Sequence, residues 1–229
     1  MYAILGIQLI ITASSVAIFG THPFLSTLPA RIATGEYQGI LALTPLFGVL
    51  ISSVAWFRVS LSSQARQKSP NKWWWLSIFT IGESLSVGFL TAFFKFHSVI
   101  LSMVATAIAT IVISAVTILQ KNPKYDLSQW GNTLSSWAAI LLVYLVVVWF
   151  QQIGVIPFEL LPFSNVLYSF FASCLFSAFL AYHTKLIVGG KHAKYRMNEK
   201  DYVLGAMALY DDIVNIFLNI LQVLGEEKD

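Results

Sequence analysis

Asp201-Tyr-Val-Leu-Gly-Ala-Met-Ala-Leu-Tyr-Asp-Asp-Ile-Val-Asn-Ile-Phe-Leu-Asn-Ile-Leu-Gln222 is the stretch on which the fold turns. It is long enough to cross a bilayer, which takes about 20 mostly apolar residues, yet it carries acids and amides. Asp212, Asn215 and Asn219 recur at i, i+3 and i+7 and so share one helical face. Asp211 is turned about 100° away from that face. An ionised carboxylate at the centre of a membrane helix costs about 3 kcal/mol on insertion scales. Such a group is expected to face a bundle interior or a water-filled path, so this helix points to ion or proton handling.

The rest of the chain has the composition of a membrane protein. Hydrophobic residues make up 57% of it and charged residues 11%, less than half the charged fraction of about 25% usual in soluble domains. Mean hydropathy is +0.71. The fold class is therefore all-α and polytopic. The net charge of +3 reflects loop charges that set topology, and no nucleic-acid partner is implied. Cys174 is the single cysteine, which excludes an intrachain disulfide and reads as a small packing residue. The chain opens Met1-Tyr-Ala-Ile-Leu-Gly-Ile-Gln-Leu-Ile-Ile without a basic leader, so the first stretch is expected to be a retained span.

Seven spans are expected, at about Met1 to Phe19, Ile40 to Arg58, Trp73 to Phe94, Val99 to Leu119, Leu134 to Phe150, Pro162 to Val188 and Tyr202 to Leu224. Turn chemistry separates them: Thr-His-Pro at 21–23, Ser-Pro-Asn at 69–71, Asn-Pro-Lys at 122–124, and Gly189-Gly190. Connections are short and no repeat is visible, so residues 1–229 read as one transmembrane domain. Arg66, Lys68, Lys72, Lys121, Lys124, Lys185, Lys191, Lys194, Arg196 and Lys200 flank the even-numbered loops, against Arg31 and Lys95 on the other side. That asymmetry places the even loops and the N-terminus in the cytosol. The C-terminus lies opposite if span 7 crosses fully, and in the cytosol if it is re-entrant. Trp73-Trp74-Trp75 and Trp149-Phe150 fall where interfacial aromatic belts belong.

Few other ionisable groups lie within the apolar stretches. Glu83 sits near the middle of span 3, with Thr80 and Ser77 roughly on its face; it reads either as a hydrogen-bonded acid stitching helices or as a lining residue of a polar path. Arg58 ends span 2, as a snorkelling interfacial cation or as a fixed partner for an acid in spans 6 or 7. His183 ends the apolar run of span 6, about five residues or 7–8 Å from its cytosolic end. It reads as a packing residue or, with Asp212, as a proton-sensitive latch, since imidazole changes charge between about pH 5 and 8. His22, His97 and His192 fall in loops.

Enzyme chemistry finds little support. There is no His-Glu-x-x-His, no cysteine pair and no second intramembrane histidine at ligand spacing. Gly189-Gly190 follows a helix and reads as its cap rather than as a phosphate-cradling loop.

Tyr182-His-Thr-Lys-Leu-Ile-Val-Gly-Gly-Lys-His, followed by the Asp201–Gln222 stretch, resembles the Bax inhibitor-1 (TMBIM) family, most closely its lifeguard and Golgi anti-apoptotic branch. The family's signature looks like Tyr-Asp-Thr-Gln, a short basic loop, Asp/Glu-Tyr, then Leu-Tyr-x-Asp-Ile-x-Asn-x-Phe-Leu. Tyr2-Ala-Ile-Leu-Gly-Ile-Gln-Leu and Ile78-Phe-Thr-Ile-Gly-Glu-Ser-Leu-Ser-Val-Gly resemble its first and third helices. The resemblance implies a seven-helix bundle with the last helix central. It also implies a pH-modulated calcium leak from internal stores that suppresses cell death. The endoplasmic reticulum or Golgi membrane is the location it implies. Calcium is then the permeant ion, met transiently by Asp212 and Asp211, with no cofactor. Partners would be the bilayer and anti-apoptotic or calcium-release membrane proteins. Asp212 matches the second aspartate of the family's gate and Arg58 its arginine, whereas the first aspartate is His183 here. Two carboxylates share a proton; a His–Asp pair attracts instead and offers calcium less negative charge. The alternative is a non-conducting scaffold acting through protein partners.

Overall fold

The structure, a computed structural model, describes residues 1–36, 39, 43–120, 122, 126–152, 164–189, 195 and 197–228. Its described residues form nine α-helices: α1 (Tyr2–Thr21), α2 (Pro23–Ala33), α3 (Thr44–Leu61), α4 (Ser63–Gln67), α5 (Asn71–Thr91), α6 (Phe96–Leu119), α7 (Gly131–Gln152), α8 (Ser164–Val188) and α9 (Tyr202–Leu224). The seven long ones fall on the seven expected spans. By length and composition α1, α3, α6, α8 and α9 are apolar enough to cross a membrane. The 21 residues of α5 and the 22 of α7 also have the length to cross. The protein is an all-α, polytopic integral membrane protein. Much of its apolar surface faces outward, as at Val104, Ile108, Ile111 and Val112 of α6, where lipid replaces water. The exception is α9, 67% of whose span is buried, against 17–28% in the other four.

Two short helices were not expected. Pro23 opens α2 at a position where its missing N–H is no loss, and Phe24, Leu25, Leu28 and Ile32 pack on Phe19, Phe89 and Ala92. Ser62 separates α3 from α4 and caps the latter through its hydroxyl, which accepts from the Ala65 N–H. The start of α6 at Phe96 also puts His97 in a first helical turn rather than a loop. Gly189, at φ 65°, ends α8 as a left-handed cap, and its N–H donates to the Lys185 carbonyl. Lys121, Pro123, Lys124 and residues 190–194, His192 among them, lie outside the described residues, as do Ile40 and Pro162, where two spans were expected to start.

The chain divides into two compact units. The first comprises residues 1–101, 197–211 and 225–229. In it α3 and α5 cross at glycines: a Cβ on Gly82 would lie 2.8 Å from the Gly48 carbonyl oxygen and 3.0 Å from the Ser52 nitrogen. Two backbones this close leave no room for a side chain. The α5 ring of Phe79 sits between Trp56 of α3 and Tyr210 of α9, at centroid distances of 5.8 and 5.7 Å. The second unit comprises residues 102–196 and 212–224. There α7 packs on α8, with Tyr144 and Tyr168 stacked at 5.8 Å, and the Lys185 ammonium donates to the Gln120 carbonyl just past α6.

Contacts within the first unit fix the course of α9. Asp201, just before it, pairs with Arg66 in the connection after α3, while residues 226–228, just after it, pair with Phe93 and Lys95 in the turn after α5. Those two connections lie at opposite ends of α5. Continuous over 23 residues, about 34 Å at 1.5 Å per residue, α9 therefore crosses fully. The re-entrant alternative is excluded.

Candidate functional site

In the second unit α8 and α9 bring His183 and Asp212 together. Nδ1 of His183 lies 2.7 Å from Oδ2 of Asp212, and Asp212 is only 2% exposed. With the carboxylate ionised, the imidazole N–H donates to it, a charge-assisted bond stronger than a neutral one. The imidazole is held in orientation by its own helix. Phe179, one turn earlier, stacks on it at 5.8 Å and 18°, and the Tyr182 ring lies 5.1 Å away. The stacked face of Phe179 accommodates imidazolium as well as imidazole. Asn219 is turned back on its own helix, donating to the Asn215 carbonyl at 2.7 Å. The shared face expected of Asp212, Asn215 and Asn219 is present as helix geometry, with one amide already occupied by backbone.

Glu83 and Asp211 come together in the first unit. With Ser52, Ser53, Trp56, Phe57 and Phe79 they line a cavity of about 230 Å³ between α3, α5 and the first half of α9. Ser52 donates its hydroxyl to the Val49 carbonyl at 3.1 Å. Two carboxyl groups and two hydroxyls share a pocket with aromatic side chains near the middle of three helices. Among the described residues no three His, Cys, Asp or Glu side chains converge as a metal site.

A neighbouring hydroxyl network was not anticipated. Thr12 Oγ1 donates to the Gln8 carbonyl at 3.0 Å, which leaves its lone pairs for the Ser84 hydroxyl at 3.0 Å and the Tyr210 phenol at 2.6 Å. Gln8 in turn donates to Thr80 at 3.0 Å. Tyr210 is thus fixed to α1 and α5 immediately before Asp211. Its place in the Leu-Tyr-x-Asp motif was the only signal available, since hydroxyls in membrane helices are too common to single out.

The sequence leaves Arg58 either as a snorkelling cation or as a partner for an acid. It is exposed on the last turns of α3 and has no ionic partner among the described residues. Its exposure at a helix end is compatible with the snorkelling reading. Arg66 engages α9 instead: its Nε donates to Asp201 Oδ1 at 2.9 Å, and Gln67 Nε2 donates to the same oxygen at 2.8 Å.

The family model described as "Inhibitor of apoptosis-promoting Bax1" matches residues 1–229, the whole chain. The chain belongs to that family. Its curated relatives include Protein lifeguard 3 of Homo sapiens, 26% identical over 228 residues, covering 100% of this chain and 68% of the relative. Protein lifeguard 3 of Mus musculus is 26% identical over 225 residues, covering 98% and 67%. Protein LIFEGUARD 2 of Arabidopsis thaliana is 27% identical over 228 residues, covering 98% and 84%. The likeness to lifeguard proteins thus runs the length of the chain, and the family is anti-apoptotic.

Proposed function

We propose that this Bax inhibitor family protein is a pH-modulated calcium leak channel of an internal membrane, the endoplasmic reticulum or Golgi, and not an enzyme. It would lower store calcium and so raise the threshold for cell death. The observation that carries this reading is the buried His183–Asp212 pair, at 2.7 Å between α8 and α9. A carboxylate that deep is costly unless it serves a path or a partner, and a histidine partner makes the contact responsive to protons. In this reading the pair is the gate, Asp212 and Asp211 meet calcium in passing, and Glu83 with Asp211 supplies charge in the cavity of the first unit. Calcium is cargo, and no cofactor takes part. Anti-apoptotic or calcium-release membrane proteins are the natural partners.

The same pair supports a second reading. Imidazolium bound to Asp212 cancels the negative charge a divalent ion needs, as in a scaffold that acts through partners without conducting. Purified protein in calcium-loaded liposomes separates the two. Under the leak reading wild type releases calcium, and Asp212→Asn, which keeps size and removes charge, changes the rate severalfold at unchanged expression. Equal rates for the two across pH 5.5–8 would remove Asp212 from the path. No release from wild type would leave the scaffold.

A further inference from the structure

The chain does not trail away after α9. The Lys95 N–H donates to the Glu226 carbonyl at 2.8 Å and the Lys228 N–H to the Phe93 carbonyl at 2.8 Å, so Phe94 and Glu227 face each other as an isolated antiparallel pair. The Lys95 ammonium meets the Glu226 carboxylate at 2.9 Å. Ser98 Oγ accepts the Glu226 N–H at 3.2 Å, and the Lys228 ammonium donates to the Ser26 carbonyl of α2 at 3.3 Å. Four residues thereby join the end of α9 to α2, to the turn after α5 and to the first turn of α6. The opposite end of α9 is tied through Asp201 to Arg66 and Gln67, and the Lys72 ammonium lies 4.9 Å from the Tyr202 ring. A helix moves as a rod, so displacing α9 as a whole requires one of its two ends to give.

We propose that residues 225–228 are a strap that locks the far end of α9 and holds the leak shut, making strap release a second control alongside the His183–Asp212 pair. This rests on the leak reading. The two ends differ in how easily they open. Arg66 and Asp201 are mostly shielded, with 24% and 13% of their side chains exposed, whereas Lys95 and Glu226 are exposed by 43% and 61%. Exposed ion pairs contribute little and are screened by salt, and two main-chain hydrogen bonds beyond a helix open locally without unfolding the helices. The strap is the end built to let go.

Phe94 and Glu227 occupy the non-hydrogen-bonded position of their antiparallel pair, where Cα atoms stand about 4.5 Å apart, within the range a disulfide bridges. In a Cys174→Ser background, Phe94→Cys with Glu227→Cys therefore gives a strap that oxidation closes and reduction frees. Each single cysteine variant serves as a control. Calcium release is compared for the oxidised and reduced forms of one preparation, and for a chain ending at Gly225. The expected result is release several-fold slower when oxidised than when reduced, and several-fold faster than wild type in the shortened chain, with the melting temperature of the helices unchanged. Release that is present but equal in all three overturns the strap and leaves the leak reading intact. Absence of release in every form, with an ionophore confirming the calcium load, overturns the leak reading and the strap as its gate together.

Discussion

Replacing His183 tests the gate most directly. His183→Ala removes the donor 2.7 Å from Asp212 and leaves the carboxylate, 2% exposed, without its imidazole. The loss is bounded on two sides. Interhelical hydrogen bonds in membrane proteins average about 0.6 kcal/mol, because displaced groups find other partners in the bilayer. Hydrogen bonds to charged groups reach about 3 kcal/mol. At about 1.4 kcal/mol per factor of ten, the closed state weakens between about threefold and about 150-fold. Burial of Asp212, and a ring already oriented by Phe179 and Tyr182, favour the middle of that range, so calcium release should rise about tenfold near neutral pH. His183→Asp, which supplies the paired carboxylates of the family signature, should also release faster than wild type. The assay is release from liposomes between pH 5.5 and 8 for wild type and both variants. The strap does not confuse the comparison. The hydrogen bond and charge of Lys95 hold the Glu226 carboxyl below the usual glutamate range, so Glu226 stays ionised down through ordinary acidification and its bond is lost only as pH falls through that lowered value. Three superimposed curves would make His183 a packing residue and end the latch argument.

Two further outcomes test the frame around the gate. Single cysteines at Lys68 and Lys228, in a Cys174→Ser background, should react with an impermeant thiol reagent from opposite sides of sealed vesicles, Lys68 from the cytosolic side; labelling from one side would return α9 to a re-entrant course. Gly82→Ala places a Cβ against the backbone of Gly48 and Ser52, and overpacking of this kind costs about 1–3 kcal/mol, so the variant should melt several degrees lower in detergent; an unchanged melting temperature would mean that α3 and α5 are free to separate.

The spans were legible because bilayer thickness imposes a length on every crossing helix, and the sequence meets it seven times. Asp212 and His183 were legible for a related reason, since ionisable groups are rare in such stretches and each needs an explanation. The misses have a common physical cause. The apolar positions of α2, Phe24, Leu25, Leu28 and Ile32, look like a loop flanked by prolines until Phe19 and Phe89 supply the surface they cover. The strap was invisible because Glu226 and Lys228 are ordinary surface charges, and their order comes from main-chain bonds that no side-chain pattern encodes. Arg58 shows where the sequence stays ambiguous: a cation at the end of a span is compatible both with pairing and with snorkelling.

The departures from the family signature form a set. Where that signature has Tyr-Asp-Thr-Gln, this chain has Tyr182-His183-Thr184-Lys185, so an acid and a neutral amide are both replaced by basic side chains. Neither new group is stranded. His183 is joined to Asp212, and the buried Lys185 donates at 2.9 Å to the Gln120 carbonyl, just beyond the C-terminal end of α6, where helix carbonyls favour a cation. Simple loss of the first aspartate would leave Asp212 buried without a partner, at a cost of up to about 3 kcal/mol. The histidine keeps a hydrogen-bonded contact to Asp212 at the same point. A scaffold needs neither the buried acid nor a titratable partner for it. A gate needs both, and that difference is why the leak reading is preferred.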